Sequence, residues 1–316
     1  MGRLRRKILG IAPDEVLFAR RRFRCDEDAI RERLEEVGRS FVRGYTAALE
    51  ADRADDLAAR LELVPRELRG FACEGAGMAL ALLDLLTPWR RDRLRGFLAG
   101  PGAAHVYIVH IGAGWALARL PVDPGRLLSR LDPLLGWLAF DGYGFHQGFF
   151  HWPRAVVGQE VPGRLRGYAR RVFDHGLGRS LWFVEGADPG RIAAAIEAFP
   201  ARRQPDLWAG VGLACAYAGG VEAAAITALR RAAGGSAPLL AQGAAFAATA
   251  RVRAGNSTPA TELACGLLCG CSAAQAAAAC DEALPGVPEA AAAPEPAFEV
   301  WRRRIELRFS LESAHS

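Results

Sequence analysis

The chain of 316 residues is long enough for one or two domains, and 51% of its residues are hydrophobic, so a large core is expected. The formal net charge is only +5, and no basic stripe with interleaved aromatic residues occurs, which argues against nucleic-acid binding. The most apolar windows contain charges and are shorter than the roughly 20 residues that a membrane span needs, so we predict a cytoplasmic protein.

The N-terminal segment MGRLRRKILGIAP is basic, and its apolar run is too short for a signal peptide. Its charges indicate either a solvated tail or peripheral contact with an anionic membrane surface. Residues 26–66 follow as two amphipathic segments, which we expect to cap an array of repeats. We therefore predict that residues 1–66 form a basic segment and capping helices.

Pairs of glycines separated by one residue recur along the middle of the chain. The first glycines of these pairs are Gly75, Gly112, Gly142, Gly176 and Gly210, and a decayed copy begins at Gly243. The intervals are 37, 30, 34, 34 and 33 residues. A dinucleotide-binding loop occurs once in a domain, so this near-constant period indicates a structural repeat.

Prolines mark the second half of each repeat. A proline follows the first glycine by 11 to 13 residues in four copies, at Pro88, Pro124, Pro153 and Pro189. Threonine or aspartate precedes three of them, which is the pattern of an N-cap residue followed by proline at the first helical position. Two helices in about 34 residues are typical of tetratricopeptide repeats. We predict an all-α solenoid of tetratricopeptide-like helical hairpins over residues 67–284.

The glycines have two interpretations. In the first, they let neighbouring helices approach closely, at a cost of about 1 kcal/mol for each helical glycine. In the second, AHVYIVHIGAGWALA is a strand that leads into a G-x-G-x-x-A dinucleotide loop. The helix after this loop would reach Pro121 after only about two turns, and the five other copies lack a preceding strand, so we favour packing and predict no cofactor.

Two neighbouring repeats depart from the shared pattern. Three residues after the first glycine, five copies carry an apolar residue and one carries Arg179; one position later, five carry a small residue and one carries His146. The residue before the first glycine is polar in four copies, including Asp141 and His175. A buried arginine needs an acidic partner, for which Asp141 is the candidate. These four residues are the predicted catalytic cluster, and a structural ion pair is the alternative.

Other candidates lie in the same motifs. Glu74, Trp115 and Tyr143 are the predicted substrate-binding residues. His110 and His151 are weaker candidates, because His110 lies in an apolar stretch typical of a core histidine. The nucleophile elbow, the phosphate-binding loop and the H-E-x-x-H zinc motif are all missing from the sequence.

Four of the seven cysteines lie close together, at Cys265, Cys269, Cys271 and Cys280. Their spacing, C-x3-C-x-C-x8-C, matches neither the zinc patterns nor the common iron–sulfur patterns, so we predict no metal and disfavour a redox role. Residues 285–316 are predicted as a linker and a C-terminal segment. PGVPEAAAAPEP forms the linker, and FEVWRRRIELRF is either a strand or a docking segment.

Six motifs occur in a fixed order along the chain: FACEGAGMALALLD, GAGWALARLP, DGYGFHQGFF, GRSLWFVEGAD, DLWAGVGLACAYAGG and AAFAATARVRAGN. In them the chain resembles a bacterial family of unknown-function proteins encoded in enediyne polyketide gene clusters, from about residue 5 to residue 280. The resemblance implies a role after chain assembly, in converting a linear polyene into the enediyne core or an acetylenic precursor. It also implies partner proteins of the same gene cluster, one of them in the membrane. It carries over no catalytic residues.

Two functional hypotheses follow. In the first, the chain acts on an apolar polyene held in the groove of the solenoid, and the predicted catalytic cluster is the polar end of that groove. In the second, the chain is a non-catalytic helical-repeat scaffold that docks biosynthetic enzymes, as most repeat proteins are binders. The sequence leaves open whether the protein is an enzyme.

Overall fold

The computed structural model describes residues 2–87, 89, 92–287 and 295–313, with side chains described up to residue 310. Pro88 and residues 288–294 of the predicted linker lie outside this set. Within it every regular element is helical, so the predicted all-α fold is confirmed. The α-helices are α1 (Gly2–Leu9), α2 (Phe18–Arg21), α3 (Asp28–Glu50), α4 (Ala54–Glu62), α5 (Arg69–Leu86), α6 (Arg93–Ala99), α7 (Val106–Arg119), α8 (Pro124–Leu128), α9 (Leu138–Phe150), α10 (Tyr168–Val184), α11 (Pro189–Glu197), α12 (Gln204–Ala218), α13 (Ala223–Ala233), α14 (Ala237–Arg253), α15 (Pro259–Leu268), α16 (Ala273–Glu282) and α17 (Ala297–Ser313).

The chain divides into two compact units. Unit 1 comprises Met1–Arg22 and Glu32–Tyr143, and unit 2 comprises Phe23–Arg31 and Gly144–Ser316. The boundaries at residues 66 and 284 rest on the repeat pattern of the sequence and stay predictions. Among the described residues no single helix is long and apolar enough to cross a membrane, although the bent pair α15 and α16 passes that test when taken together.

In unit 1 the glycine pairs lie where two helix backbones cross. A Cβ atom on Gly112 would lie 2.0 Å from the carbonyl oxygen of Glu74, and one on Gly114 would lie 1.9 Å from that of Ala139. These distances are far below van der Waals contact, so only glycine allows α5, α7 and the start of α9 to approach this closely. The packing interpretation of the glycines is therefore confirmed, and α7 replaces the strand of the dinucleotide-loop alternative.

The same contact recurs in unit 2 with the same register. The second glycine of each motif faces the carbonyl group three residues before the next motif's first glycine. A Cβ on Gly144 would lie 2.0 Å from the oxygen of Phe173, and one on Gly178 would lie 2.1 Å from that of Leu207. Because the register does not drift, successive motif helices cross at equivalent points.

The repeat also includes α3, which lies within the segment predicted to form the capping helices. A Cβ on Gly44 would lie 1.8 Å from the carbonyl oxygen of Ala72, and one on Gly75 would lie 2.0 Å from that of Phe41. This is the register of the later motifs, with Val42 at the position of the first glycine. Val42 lines an open groove, so its side chain has room where the later motifs need glycine. The missing glycine hid this copy from the sequence pattern.

The second helices of the repeats form their own row in unit 2. α10, α12, α14 and α16 pack in chain order, and so do α11, α13 and α15. Proline opens α11 and α15, and each has a capping side chain: Asp188 accepts a hydrogen bond from the backbone N–H of Arg191, and Thr258 accepts one from that of Thr261. The helical hairpins thus follow the sequence pattern, while the tetratricopeptide-like solenoid stays a prediction.

The C-terminal segment FEVWRRRIELRF is helical, so the strand alternative is wrong, and its role as a docking segment stays a prediction. Its buried residues Phe298, Trp301, Ile305 and Phe309 are three or four positions apart, which is the period of a helix face. α17 packs against α14 and α16, where the indole Nε1 of Trp301 donates to the carbonyl oxygen of Cys280 at 2.8 Å.

Candidate functional site

The segment DGYGFHQGFF places a group of aromatic rings inside unit 2. The ring centres of Phe145 and Phe149 are 5.8 Å apart, and they lie 5.4 and 5.7 Å from that of Phe183. Phe149 also contacts Phe23 at 5.0 Å and Phe150 at 5.2 Å. Phe145 and Phe149 are one helical turn apart, so both rings point to the same side of α9. We call these five phenylalanines the aromatic cluster.

Arg179 of α10 lies against the aromatic cluster. Its guanidinium carbon is 4.8 Å from the ring centre of Phe145, and the residue is 4% exposed. Such stacking stabilises a desolvated arginine by about 2 kcal/mol, which offsets only part of the cost of burying the charge. The predicted burial of this cation is confirmed, and its pairing with Asp141 stays a prediction.

His146 lies at another edge of the aromatic cluster. The centre of its imidazole ring is 4.8 Å from that of Phe150 and 5.9 Å from that of His151. His146 is buried and His151 is exposed. Histidine changes its protonation state near neutral pH, so a buried imidazole beside an exposed one is suited to exchanging a proton with solvent.

His175 is buried on α10, one turn before Arg179. Its carbonyl oxygen lies against α12, because a Cβ on Gly210 would come within 1.9 Å of it. The preceding residue, Asp174, forms a buried ion pair with Arg203, with 2.5 Å between the charged atoms. Within two turns, α10 therefore carries the polar side chains of Asp174, His175 and Arg179 into the interior of unit 2.

The remaining predicted residues belong to unit 1. Glu74, Trp115, Asp141 and Tyr143 are all buried there. The indole Nε1 of Trp115 donates to Oε1 of Glu74 at 3.3 Å, and the indole ring stacks on Phe41 with centres 4.1 Å apart. The polar groups of Glu74 and Trp115 thus satisfy each other, which gives both a structural role besides the predicted binding role.

His110 has the hydrogen bonds of a neutral core histidine. Its Nδ1 lies 2.7 Å from the carbonyl oxygen of Val106, and its Nε2 accepts from the backbone N–H of Asp132 at 3.4 Å. Burial lowers the pKa of His110 because it disfavours the charged imidazolium, against smaller opposing effects of Val106 and Asp132. This arrangement agrees with the expectation that His110 is a core residue.

A group of four charged residues in unit 2 has no counterpart among the predicted site residues. Arg171 of α10 bonds to Asp206 at 2.9 Å and to Glu299 at 2.6 Å, and Arg302 bonds to Asp206 at 3.0 Å. Asp206, Glu299 and Arg302 are each nearly fully buried. The one available signal was that Glu299 and Arg302 share a helical face with the apolar residues of α17. We call these residues the charge cluster, and it fixes α17 to α10 and α12.

Three of the four neighbouring cysteines near the C-terminal end pack in the core as small apolar residues. Cys265, Cys269 and Cys280 are buried, and burial raises the pKa of Cys280 to about 12. Cys269 also has a raised pKa, through its contact with Cys265 and through burial. Thiols that stay protonated are poor nucleophiles and poor ligands. Among the described residues no three histidine, cysteine, aspartate or glutamate side chains are grouped to hold a metal ion.

Two concave sites occur in the described part of unit 1, and both are lined by residues other than the predicted catalytic ones. A cavity of about 250 Å³ lies between α5 and the start of α6, beside Asp84, Arg95 and Arg130. An open groove of about 610 Å³ runs along α3 and α4, where Arg39, Arg43, Arg60 and Leu63 line it. Asp84 accepts from the backbone N–H of Leu94 at 3.0 Å, so it mainly caps α6.

Comparison with known proteins identifies the family of the chain, and that family has no described activity. No curated protein and no solved structure matches the chain. Residues 1–309 match a family described as "Protein of unknown function (DUF1702)", which covers both units and the docked helix α17. The chain therefore belongs to the DUF1702 family of proteins of unknown function.

Proposed function

We propose that the protein is a component of enediyne-type polyketide biosynthesis that acts in the cytoplasm on a linear polyene after chain assembly, together with partner proteins. The resemblance of its six ordered motifs to proteins of enediyne gene clusters supports the pathway. The aromatic cluster with Arg179 and His146 at its edges supports the substrate class. A conjugated polyene is flat and apolar, and aromatic rings offer it both stacking and edge contacts.

The charged and titratable residues have distinct roles in this proposal. Arg179 binds the polar end of the polyene, a carboxylate or the oxygen of a carrier-bound thioester, because guanidinium groups donate to planar oxygen acceptors. His146 moves a proton at the bound chain, and His151 exchanges it with solvent. Asp141 and His175 complete the predicted catalytic cluster.

The helices are proposed to form a solenoid of tetratricopeptide-like repeats. The constant register of the glycine–carbonyl contacts supports this, because a fixed crossing point repeated along a chain generates a regular stack. A stack of this kind presents an extended surface, which suits a long chain better than a compact pocket.

The test is incubation of the purified protein with a linear polyene, with and without its partner proteins, followed by mass spectrometry. The proposal expects a new product, separated from the polyene by chromatography and identified by mass spectrometry, only when this protein is present. His146→Phe keeps an aromatic ring of similar size and removes proton transfer, so it should abolish the change. His151→Phe is the matched control at an exposed position, and it should slow the change without abolishing it.

The second candidate is a non-catalytic scaffold that docks biosynthetic enzymes. It is favoured by the mutual satisfaction of Glu74 and Trp115 and by the charge cluster, since these buried polar groups already have structural partners. In this case the partner proteins alone would convert the polyene slowly, and His146→Phe would have the same effect as the parent protein. Co-purification of the partners with the chain would then be its only measurable activity.

A further inference from the structure

α1 is fixed to the rest of unit 1 by one side only. Arg5 bonds to Asp52 at 2.7 Å and to the carbonyl oxygen of Ala51 at 3.3 Å, both just beyond the end of α3. The hydroxyl of Tyr45 donates to the carbonyl oxygen of Leu9 at 2.6 Å. Cations at a helix C-terminus are favourable, so these contacts hold α1 in a defined orientation. The N-terminal basic segment is thus a docked helix, which leaves peripheral membrane contact as the remaining alternative of the two that the sequence offered.

The outward side of α1 combines aliphatic and cationic residues. Leu4 is 57% exposed and Ile8 is 70% exposed, and they are one turn apart on the helix. Arg3 and Lys7 are also exposed and one turn apart, directly beside them. Neither Arg3 nor Lys7 forms an ion pair within the part of the chain that the structure describes. Covering these two aliphatic side chains with another apolar surface would be favourable, because burial removes their apolar area from water.

The aliphatic part of this surface continues beyond α1. Glu50 bonds to Arg6 of α1 at 2.9 Å and to Arg60 of α4 at 2.8 Å, so the two helices meet at this carboxylate. Leu63 follows Arg60 by three residues and is 85% exposed. The open groove beside it is lined by aliphatic residues and by Arg39 and Arg43, which are paired with glutamates of α3. The aliphatic surface therefore extends from α1 across the end of α3 to Leu63, whereas the exposed cations Arg3 and Lys7 lie on α1 itself.

We infer that this surface, with α1 at its centre, binds the anionic surface of a lipid bilayer. A helix with aliphatic side chains on one side and Lys or Arg around them lies in the headgroup region, where its apolar residues enter the acyl boundary and its cations meet acidic lipids. A protein partner fits less well, because α1 has no aromatic residue to serve as an interface anchor. The inference does not depend on the proposed function.

The experiment is co-sedimentation of the full chain with vesicles of phosphatidylcholine alone and of phosphatidylcholine mixed with phosphatidylglycerol. Binding is expected only to the mixed vesicles and should weaken as salt is raised, because salt screens exposed charges. Arg3→Ser with Lys7→Ser should lower the partition coefficient roughly thirtyfold, at about a fivefold effect for each lost cation. Leu4→Ser with Ile8→Ser should also release the protein.

Matched controls lie in unit 2. Leu307 is 62% exposed on α17 and Arg202 is exposed, so Leu307→Ser with Arg202→Ser removes similar groups from another surface and should leave binding unchanged. Equal binding of the Arg3/Lys7 variant and the control would overturn the inference. A parent protein that stays in the supernatant with both kinds of vesicle would also overturn it. Sedimentation velocity would then show whether α1 mediates self-association instead.

Discussion

The guanidinium group of Arg179 stacks on the ring of Phe145, with 4.8 Å from its central carbon to the ring centre. In the later motifs Leu213 and Phe246 occupy the position of Arg179, so the fold itself accepts an apolar residue there. Removing a charge that has a buried acidic partner costs about 3–5 kcal/mol, because the partner is left uncompensated. We expect Arg179→Met to lose polyene conversion, and to lower the melting temperature if Asp141 is the partner of Arg179. An Arg179→Met protein that is both more stable and fully active would make the arginine a structural charge and favour the scaffold.

His146 tests the chemistry of the site separately from its packing. Because the imidazole is buried against Phe150, His146→Ala leaves a void and should cost about 1–3 kcal/mol in the free energy of unfolding. His146→Phe keeps the ring and should melt close to the parent. Both variants are expected to lose polyene conversion, as measured by mass spectrometry. If only His146→Ala were inactive, the residue would act through packing and not through proton transfer.

The helices and the glycine contacts could be predicted from the sequence because they depend on local periods. Gly112 and Gly142 recur at helical-hairpin spacing, and the structure places both against carbonyl groups of neighbouring helices. The copy in α3 was hidden because Val42 replaces the first glycine at a position where a side chain has room. The glycine period therefore identified the helix contacts that leave no room for a side chain. It missed the contact of α3, where the valine side chain is tolerated.

The charge cluster could not be predicted, because its partners are distant in the chain. Arg302 and Asp206 are 96 residues apart, and Arg171 and Glu299 are 128 residues apart. A pattern in one sequence shows that a charge lies on an apolar face, but it does not show which distant charge compensates it. For the same reason Arg179 and His146 could be predicted as departures from the residue type that the other motifs carry at the same position. The rings of Phe23 and Phe183, which complete the aromatic cluster, could not be predicted.

The glycine pairs can be tested by adding a single methyl group. A Cβ on Gly144 would lie 2.0 Å from the carbonyl oxygen of Phe173, so Gly144→Ala should destabilise unit 2 by about 1–3 kcal/mol, and Gly144→Leu by more. Gly266 is the control, because it lies in α15 with open space at its Cβ position. Gly266→Ala should stabilise by up to about 1 kcal/mol through helix propensity. Equal urea midpoints for the two alanine variants would contradict close packing at Gly144.

The cysteines should divide into two reactivity classes. Cys25 and Cys271 are partly exposed, whereas Cys73, Cys215, Cys265, Cys269 and Cys280 are buried. Burial raises the pKa of Cys73 and of Cys215 to about 12, so these thiols stay protonated at neutral pH and do not react as thiolates. Titration of the native protein with a thiol reagent should modify Cys25 and Cys271 alone, and denaturation should release all seven. Rapid native modification of Cys269 would revive a redox role.

His110 should make the stability of unit 1 depend on pH. Burial lowers its pKa in the folded state, and the imidazolium form would lose the hydrogen bond that Nε2 accepts from the N–H of Asp132. In the unfolded chain histidine titrates near pH 6.5, at about its ordinary pKa. Below that pH the unfolded state binds a proton that the folded state does not, so the free energy of unfolding falls as the pH decreases from about 6.5 to the lowered pKa of His110. Above about pH 6.5 both states are neutral at this residue, and its stabilising contribution is fully present.

Urea unfolding at a series of pH values measures this effect of His110. The slope of the unfolding free energy against pH should be smaller in this window for His110→Gln than for the parent. The exposed His151→Gln should keep the parent's slope, and a His110→Gln protein with that same slope would show that His110 is protonated equally in both states.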